Sequence, residues 1–170
     1  MAENQLTVFL VDDDEAIRAS LSRALGKRGY RVEAHASAAS FLAVWQDDRR
    51  GCLVLDYGMP GMNGLELQAH LNAIGADLPV IFITGHGGVP ESVQAMKGGA
   101  IDFLEKPFRQ SALIERIDVA LDIARGRQAA LQDGERRRAR FDRLTAREME
   151  IVERIVERPS ETSSKEIALY

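Results

Sequence analysis

The chain holds a single cysteine, Cys52, among 170 residues, with five prolines and only 6% aromatic residues. One thiol excludes an internal disulfide, and its place in an apolar run marks it for a packed core rather than for catalysis. A reducing compartment is the simplest setting. No apolar run approaches the roughly 20 residues that a transmembrane helix needs. The opening Met1 to Gln5 lacks signal-peptide character. A cytoplasmic protein without a membrane partner is therefore expected. Neither sign of charge dominates, since the formal net charge is −4, which favours solubility and names no partner. The balance hides an asymmetry: acids crowd at Asp12 to Glu15, while Arg136, Arg137, Arg138, Arg140 and Arg143 cluster late. Internal repeats and low-complexity tracts are also missing. Apolar content of 45% suffices for a packed core over most of the length.

What the chain does have is a strict alternation of two periodicities. Residues 6–11, 30–34, 52–56, 79–84 and 101–104 read as short strands, three of them continuously apolar and so suited to burial on both faces. Between them, Ile17, Leu21, Ala24 and Leu25 recur at helical spacing, and Ser37 can cap a helix carrying Phe41, Leu42 and Trp45. Leu65, Leu67, Leu71 and Ile74 mark a third helix closed by Gly75. Val89, Val93 and Met96 mark a fourth, and Leu113, Ile117, Leu121 and Ala124 a fifth. Strand and helix alternate five times within about 125 residues. That pattern predicts an α/β fold, a doubly wound parallel sheet with helices on both faces and right-handed crossovers.

In such sheets ligand chemistry collects at the carboxyl ends of the strands. Those ends carry Asp12 and Asp13 (first), Asp56 (third), Thr84 (fourth) and Lys106 (fifth). Crowded carboxylates repel, and a divalent cation relieves the cost. Hard oxygen ligands favour Mg²⁺. A lysine and a hydroxyl nearby are what a phosphoryl group needs, a point charge and a hydrogen-bond donor. The set therefore looks made to place a phosphoryl group on Asp56 with Mg²⁺ offsetting charge. Each piece alone has a plainer use: Asp14 or Glu15 as a helix cap, Thr84 in a turn, Lys106 in solvent. The glycines at 85, 87 and 88 lack dinucleotide-loop spacing. The joint placement at four strand ends carries the argument.

The order Asp12-Asp13, then Asp56 with Met59-Pro60 and Gly64, Thr84-Gly85 and Lys106-Pro107 resembles the receiver domain of two-component response regulators, over roughly residues 5–124. Residues 83–90 (Ile-Thr-Gly-His-Gly-Gly-Val-Pro), Ala95-Met-Lys97 and 99–108 bring it closest to the FixJ-like branch. Leu144-Thr-Ala-Arg-Glu148, with Lys165-Glu-Ile-Ala168, resembles the opening of a LuxR-type helix-turn-helix domain. The resemblance implies a flavodoxin-like sheet of order 2-1-3-4-5. It implies that Asp56 accepts phosphate from a sensor histidine kinase. Asp13, Asp56 and the Gly58 carbonyl would bind Mg²⁺ directly, and Asp12 through water. Lys106 would pair with the phosphoryl oxygens, the Thr84 hydroxyl would swing toward them, and the Phe103 ring would turn inward. The face of the fourth helix, fifth strand and fifth helix would then form a homodimer. An aromatic such as Phe103 is otherwise simple core, and only the resemblance gives it a switch role. His86 is a loop residue that the resemblance ties to the lifetime of the phosphoryl group.

Past Ala124 the composition shifts. The expected organisation is a receiver at 1–124, a helical arginine-rich linker at 125–143, and the first part of a helix-turn-helix DNA-binding domain at 144–170. Thr145 and Glu148 form a capping-box pattern, and Met149, Val152, Ile155 and Val156 give that helix an apolar face. Gly126 and Gly134 weaken the linker helix. Ile117, Leu121, Ala124 and Leu131 form a loose heptad-like stripe that permits two copies to pair. The arginine run reads as a solvated helix face, with Glu135 and Asp142 offsetting part of its charge. The stretch 158–164 is longer than the LuxR pattern, and a recognition helix for DNA is absent from these residues. They read as a fragment or a truncated regulator. Two other classes remain open: a stand-alone receiver acting by protein–protein interaction, and an aspartyl-phosphate phosphatase using Asp12. Val11-Asp12-x-Asp14 opens like a haloacid-dehalogenase motif, but Ala16 departs from it and Asp56 would be unexplained.

Overall fold

A computed structural model describes residues 5–85, 88–143 and 146–157. Two compact units are present, Met1–Gln128 and Ala129–Tyr170. Within the first, strands β1 (Thr7–Val11), β2 (Arg31–His35), β3 (Gly51–Asp56), β4 (Val80–Thr84) and β5 (Asp102–Glu105) alternate with helices α1 (Glu15–Lys27), α2 (Ala38–Val44), α3 (Gly64–Ala73) and α4 (Val89–Lys97). Helix α5 (Gln110–Asp142) follows, and α6 (Ala146–Glu157) lies in the second unit. The five strands are all parallel, in the order β2-β1-β3-β4-β5. This is the doubly wound sheet that the alternation predicts, with the strand order that the resemblance implies.

The unbroken apolar strands are explained by two cores, one on each face, fed by alternate residues of the same strand. Phe9, Val11, Leu53, Leu55 and Phe82 point to one face, where they meet Phe41 of α2, Leu67 and Leu71 of α3 and Ala95 of α4. Val8, Leu10, Cys52, Val54, Ile81 and Ile83 point to the other, against Leu21 and Leu25 of α1 and Leu113, Ile117 and Leu121 of α5. Cys52 is core, as its sequence setting suggested, and burial pushes its thiol up to about 12. The aromatic side chains concentrate on the first face, where Phe9, Phe41 and Trp45 pack edge-on or tilted within about 6 Å of one another.

Polar residues set where the helices start. Asp14 caps α1, its carboxylate accepting from Ala16 N–H at 2.9 Å and Ile17 N–H at 3.3 Å. Ser37 and Ser40 form a reciprocal capping box on α2, and Asn63 and Glu66 do the same on α3. Gly126 and Gly134 lie inside α5 and do not interrupt it. Three members of the heptad-like stripe, Ile117, Leu121 and Ala124, are buried in the receiver core, so they cannot pair two copies, while Leu131 is exposed. His86, the Thr145 cap, the 158–164 stretch and Lys165 to Ala168 lie outside the described residues, as do the side chains of Met149, Val152 and Val156.

Each fully buried leucine contributes about 1.5–3 kcal/mol of transfer free energy, and β1, β3 and β4 are buried along their whole length. Leu53→Ala, at a completely buried site, is expected to cost the receiver about 2–5 kcal/mol in urea unfolding. Val89→Ala, at a site 76% exposed, should change it by less than about 0.5 kcal/mol.

Candidate functional site

The register brings the strand ends together. Val11 pairs with Leu55, and Asp56 with Ile83. Asp12 therefore follows the end of β1 beside Asp56, the last residue of β3, and Thr84 is the last residue of β4. Asp12 is fully buried, Asp56 is 5% exposed, and Asp13 is exposed at the rim. One carboxylate oxygen from each of the three lies within 4.8 Å of the other two. Lys106 reaches in from beyond β5, its Nζ 3.0 Å from Asp12 Oδ2 and 3.8 Å from Asp56 Oδ1.

Local backbone holds the two buried acids. The Asp12 Oδ1 accepts from Asp14 N–H at 2.9 Å, and the Asp12 N–H donates to the His35 carbonyl on β2 at 3.1 Å. Arg18, one turn into α1, donates from Nη1 to the Asp12 carbonyl at 2.7 Å. Its part in fixing the acidic turn is invisible in the sequence, where nothing links a helix arginine to a carbonyl six residues back. Gly58 sits in the exposed turn after β3, and its N–H donates to Asp56 Oδ1 at 3.4 Å. Thr84 is 1% exposed, and its carbonyl accepts from Lys106 N–H at 2.7 Å, tying the lysine to the end of β4. Phe103 is half-buried on edge strand β5, stacked on Phe82 with ring centroids 6.1 Å apart and planes 25° from parallel. Gly64 begins α3 hard against Asp56: a Cβ there would lie 2.6 Å from the Asp56 carbonyl oxygen and 2.9 Å from Phe82 Cε1.

The electrostatics follow. One lysine against three carboxylates leaves the cluster net negative. Burial, and then the charge of Asp12, push the Asp56 carboxyl up to about 6, with Lys106 and the Gly58 N–H opposing. Among the described residues, Lys106 is the one cation against Asp12 and Asp56, so the charge of the cluster is only partly offset. The donor set, three carboxylates partly open to solvent, fits a hard divalent cation such as Mg²⁺, which keeps several waters. Asp14, by contrast, is turned to the α1 amides and away from this cluster's work.

All the residues expected at the site are thus neighbours in space except His86, which is not described, and Phe103, which lies behind Phe82. Sequence comparisons identify the same unit. Residues 8–118 match the model of the response regulator receiver domain. The transcriptional regulatory protein FixJ of Rhizobium meliloti strain 1021 is 43% identical over 150 residues, 88% of this chain and 74% of that protein. The response regulator TodT of Pseudomonas putida strain F1 is 36% identical over 89% of this chain and 67% of its own length. Among solved structures, response regulator StyR superposes with a TM-score of 0.83 at 40% identity, covering 96% of this chain and 81% of that one. The N-terminal part of FixJ gives a TM-score of 0.65 at 47% identity, over 70% of this chain and 95% of that one. The chain belongs to the response regulator receiver family, and its receiver is of the FixJ- and TodT-like kind.

The raised Asp56 pKa has a signed consequence. The folded state holds more protons than the unfolded one between about pH 4 and 6, so this residue destabilises the fold as pH rises through that window. Without divalent cations, Asp56→Asn should be more stable than wild type at pH 7.5 by on the order of 1–3 kcal/mol. The gap should close near pH 4, and Mg²⁺ should stabilise wild type only. Thermal melts of both proteins at the two pH values, with and without Mg²⁺, check this.

Proposed function

We propose that the chain is a phosphorylation switch in which Asp56 accepts a phosphoryl group from a phosphohistidine on a sensor histidine kinase. The observation that carries this is the position of Lys106 Nζ, 3.0 Å from Asp12 and 3.8 Å from Asp56, beside a buried carboxylate that no other described cation pairs with. An Asp56 carboxylate oxygen forms the new bond to phosphorus as the phosphorus–nitrogen bond to the donor imidazole breaks, and the imidazole leaves with the bond's electron pair. Lys106 is placed to balance the incoming phosphoryl oxygens. Asp12, Asp13, Asp56 and the Gly58 carbonyl would hold Mg²⁺, which supplies charge neutralisation for the transferring group. Burial of Asp56 excludes competing water from one side of the carboxylate.

The Thr84 hydroxyl and the Phe103 ring are the proposed movers. Thr84 ends the strand beside Asp56, and Phe103 lies on the next strand out, so a shift of one opens or closes room for the other. The face of α4, β5 and the first part of α5 carries Val89, Val93, Met96 and Val119 exposed, an apolar surface suited to phosphorylation-dependent homodimerisation. The proposed organisation is a receiver at 1–124, a linker at 125–143 and the start of a LuxR-type DNA-binding domain from 144. Transcriptional output fits the names of the relatives, FixJ above all, and a cytoplasmic location is proposed with it. No helix among the described residues is long and apolar enough to cross a membrane. The phosphatase reading loses its second acid, because Asp14 is committed to capping α1. A receiver acting by protein contact alone needs the same phosphorylation site.

Incubation with Mg²⁺ and a small acyl phosphate, read by intact mass, tests the proposal. Wild type is expected to gain one phosphoryl group, and to lose that ability with a chelator or in Asp56→Asn. Gel filtration should show the phosphorylated protein as a dimer. An adduct surviving in Asp56→Asn, or none on wild type, would refute the assignment.

A further inference from the structure

Of the helices on its face of the sheet, α4 has the weakest apolar anchor. Its one buried residue is Ala95, whereas α3 buries Leu67 and Leu71 and α2 buries Phe41. Val93 and Met96 of α4 are 44% and 48% exposed. Burying one methyl group contributes only about 1 kcal/mol, so polar contacts must set where this helix lies.

Those contacts gather at its C-terminus. Gly99, at φ +98°, closes the helix, with Ala100 N–H donating to the Ala95 carbonyl at 3.0 Å and Gly99 N–H to that of Met96 at 3.1 Å. Two amide side chains of α3 reach into this cap. Gln68 Nε2 donates to the Ala95 carbonyl at 2.9 Å, and Asn72 Nδ2 to the Gly98 carbonyl at 2.9 Å. Four residues apart, they share one face of α3. Gln68 is 4% exposed, and a Cβ on Gly98 would fall 2.5 Å from its Oε1, so the amide lies directly on the cap backbone. A buried amide left unpaired costs more than the bond gains, which makes this a specific clasp.

The opposite end of α3 rests on the acceptor strand. Gly64 N–H donates to the Tyr57 carbonyl at 3.0 Å, and no side chain could fit between Gly64 and the Asp56 carbonyl. One helix of ten residues therefore joins the backbone of Asp56 directly to the cap of α4.

We propose that α3 is a rigid link from Asp56 to α4, with Gln68 and Asn72 as the positioning residues that make α4 follow it. This rests on the reading of Asp56 as the phosphoacceptor, and it is a route separate from Thr84 and Phe103, which run through β4 and β5. Displacement of the Asp56 backbone moves the Gly64 end, and the amide clasp passes that movement to α4.

The test pairs Gln68→Met, which keeps the volume and removes the amide, with Asn72→Ala at an exposed site. Hydrogen exchange of α4 is compared with that of β1 and β3, before and after phosphorylation by an acyl phosphate with Mg²⁺, with intact mass reporting the adduct. In the resting double variant, α4 should exchange about tenfold or more faster while β1 and β3 are unchanged. The adduct should still form on Asp56, but the change in α4 protection that it causes in wild type should fall by more than half. An equal change in variant and wild type, no change in wild type, or faster exchange spread over every element would overturn the link. Absence of an adduct on wild type, seen in the mass alone, would overturn the acceptor reading and the link with it.

Discussion

A buried carboxylate beside another buried carboxylate, with a single ammonium group to share, is the constraint on which the structure turns. Asp56 and Asp12 are brought side by side because β1 and β3 are neighbours and end in register. The fold places these charges where solvent cannot screen them, and the cost appears as the raised pKa of Asp56. Such a cost persists only where the surroundings over-determine it. Here two apolar cores, fed by alternate residues of the same strands, hold the sheet too firmly for the strand ends to splay. Were a cation or a phosphoryl group to bind there, it would change this balance by a large fraction.

The response would travel outward through elements of unequal firmness. β1, β3 and β4 are buried throughout, whereas β5 is a four-residue edge strand and α4 buries only Ala95 and accepts two amide hydrogen bonds from α3. Firm elements keep the acids in place, and loosely held ones can adopt a second position at small cost. Exposed apolar side chains lie on the loosely held elements, at Val89, Val93 and Met96. If Asp56 is phosphorylated as proposed, this exposed apolar surface would lie on the elements best able to respond.

Much of this was legible in the sequence because the signals were local or strongly periodic. Unbroken apolar runs such as Val8 to Val11 and Ile81 to Ile83 gave the buried strands, and the polar residue ending each run gave the site. Asp14 and Ser37 could be read as caps because capping is decided within three residues. What could not be read depends on contacts distant in the chain. Nothing in the sequence connects Gln68 with Ala95 or Arg18 with the Asp12 carbonyl, since amides and guanidiniums on exposed-looking helix positions are ordinarily solvated. The stripe of Ile117, Leu121 and Ala124 could not by itself decide between two uses, because a helix packing on a sheet and one pairing with its copy present nearly the same spacing. Gly126 and Gly134 read as weakening the linker helix without ending it, and α5 runs through both, since each costs only about 1 kcal/mol within a long helix.

The central claim is that Asp56, and neither Asp12 nor Asp13, forms the bond to phosphorus. Borohydride reduction of the acyl-phosphate-treated protein, followed by peptide mapping, reads this at the residue, since a phosphorylated aspartate is reduced to homoserine and a free one is not. The expected result is homoserine at position 56 alone, formed only when Mg²⁺ was present during phosphorylation. Homoserine at position 12 or 13, or an intact aspartate at 56 in protein that carries the phosphoryl mass, would contradict it.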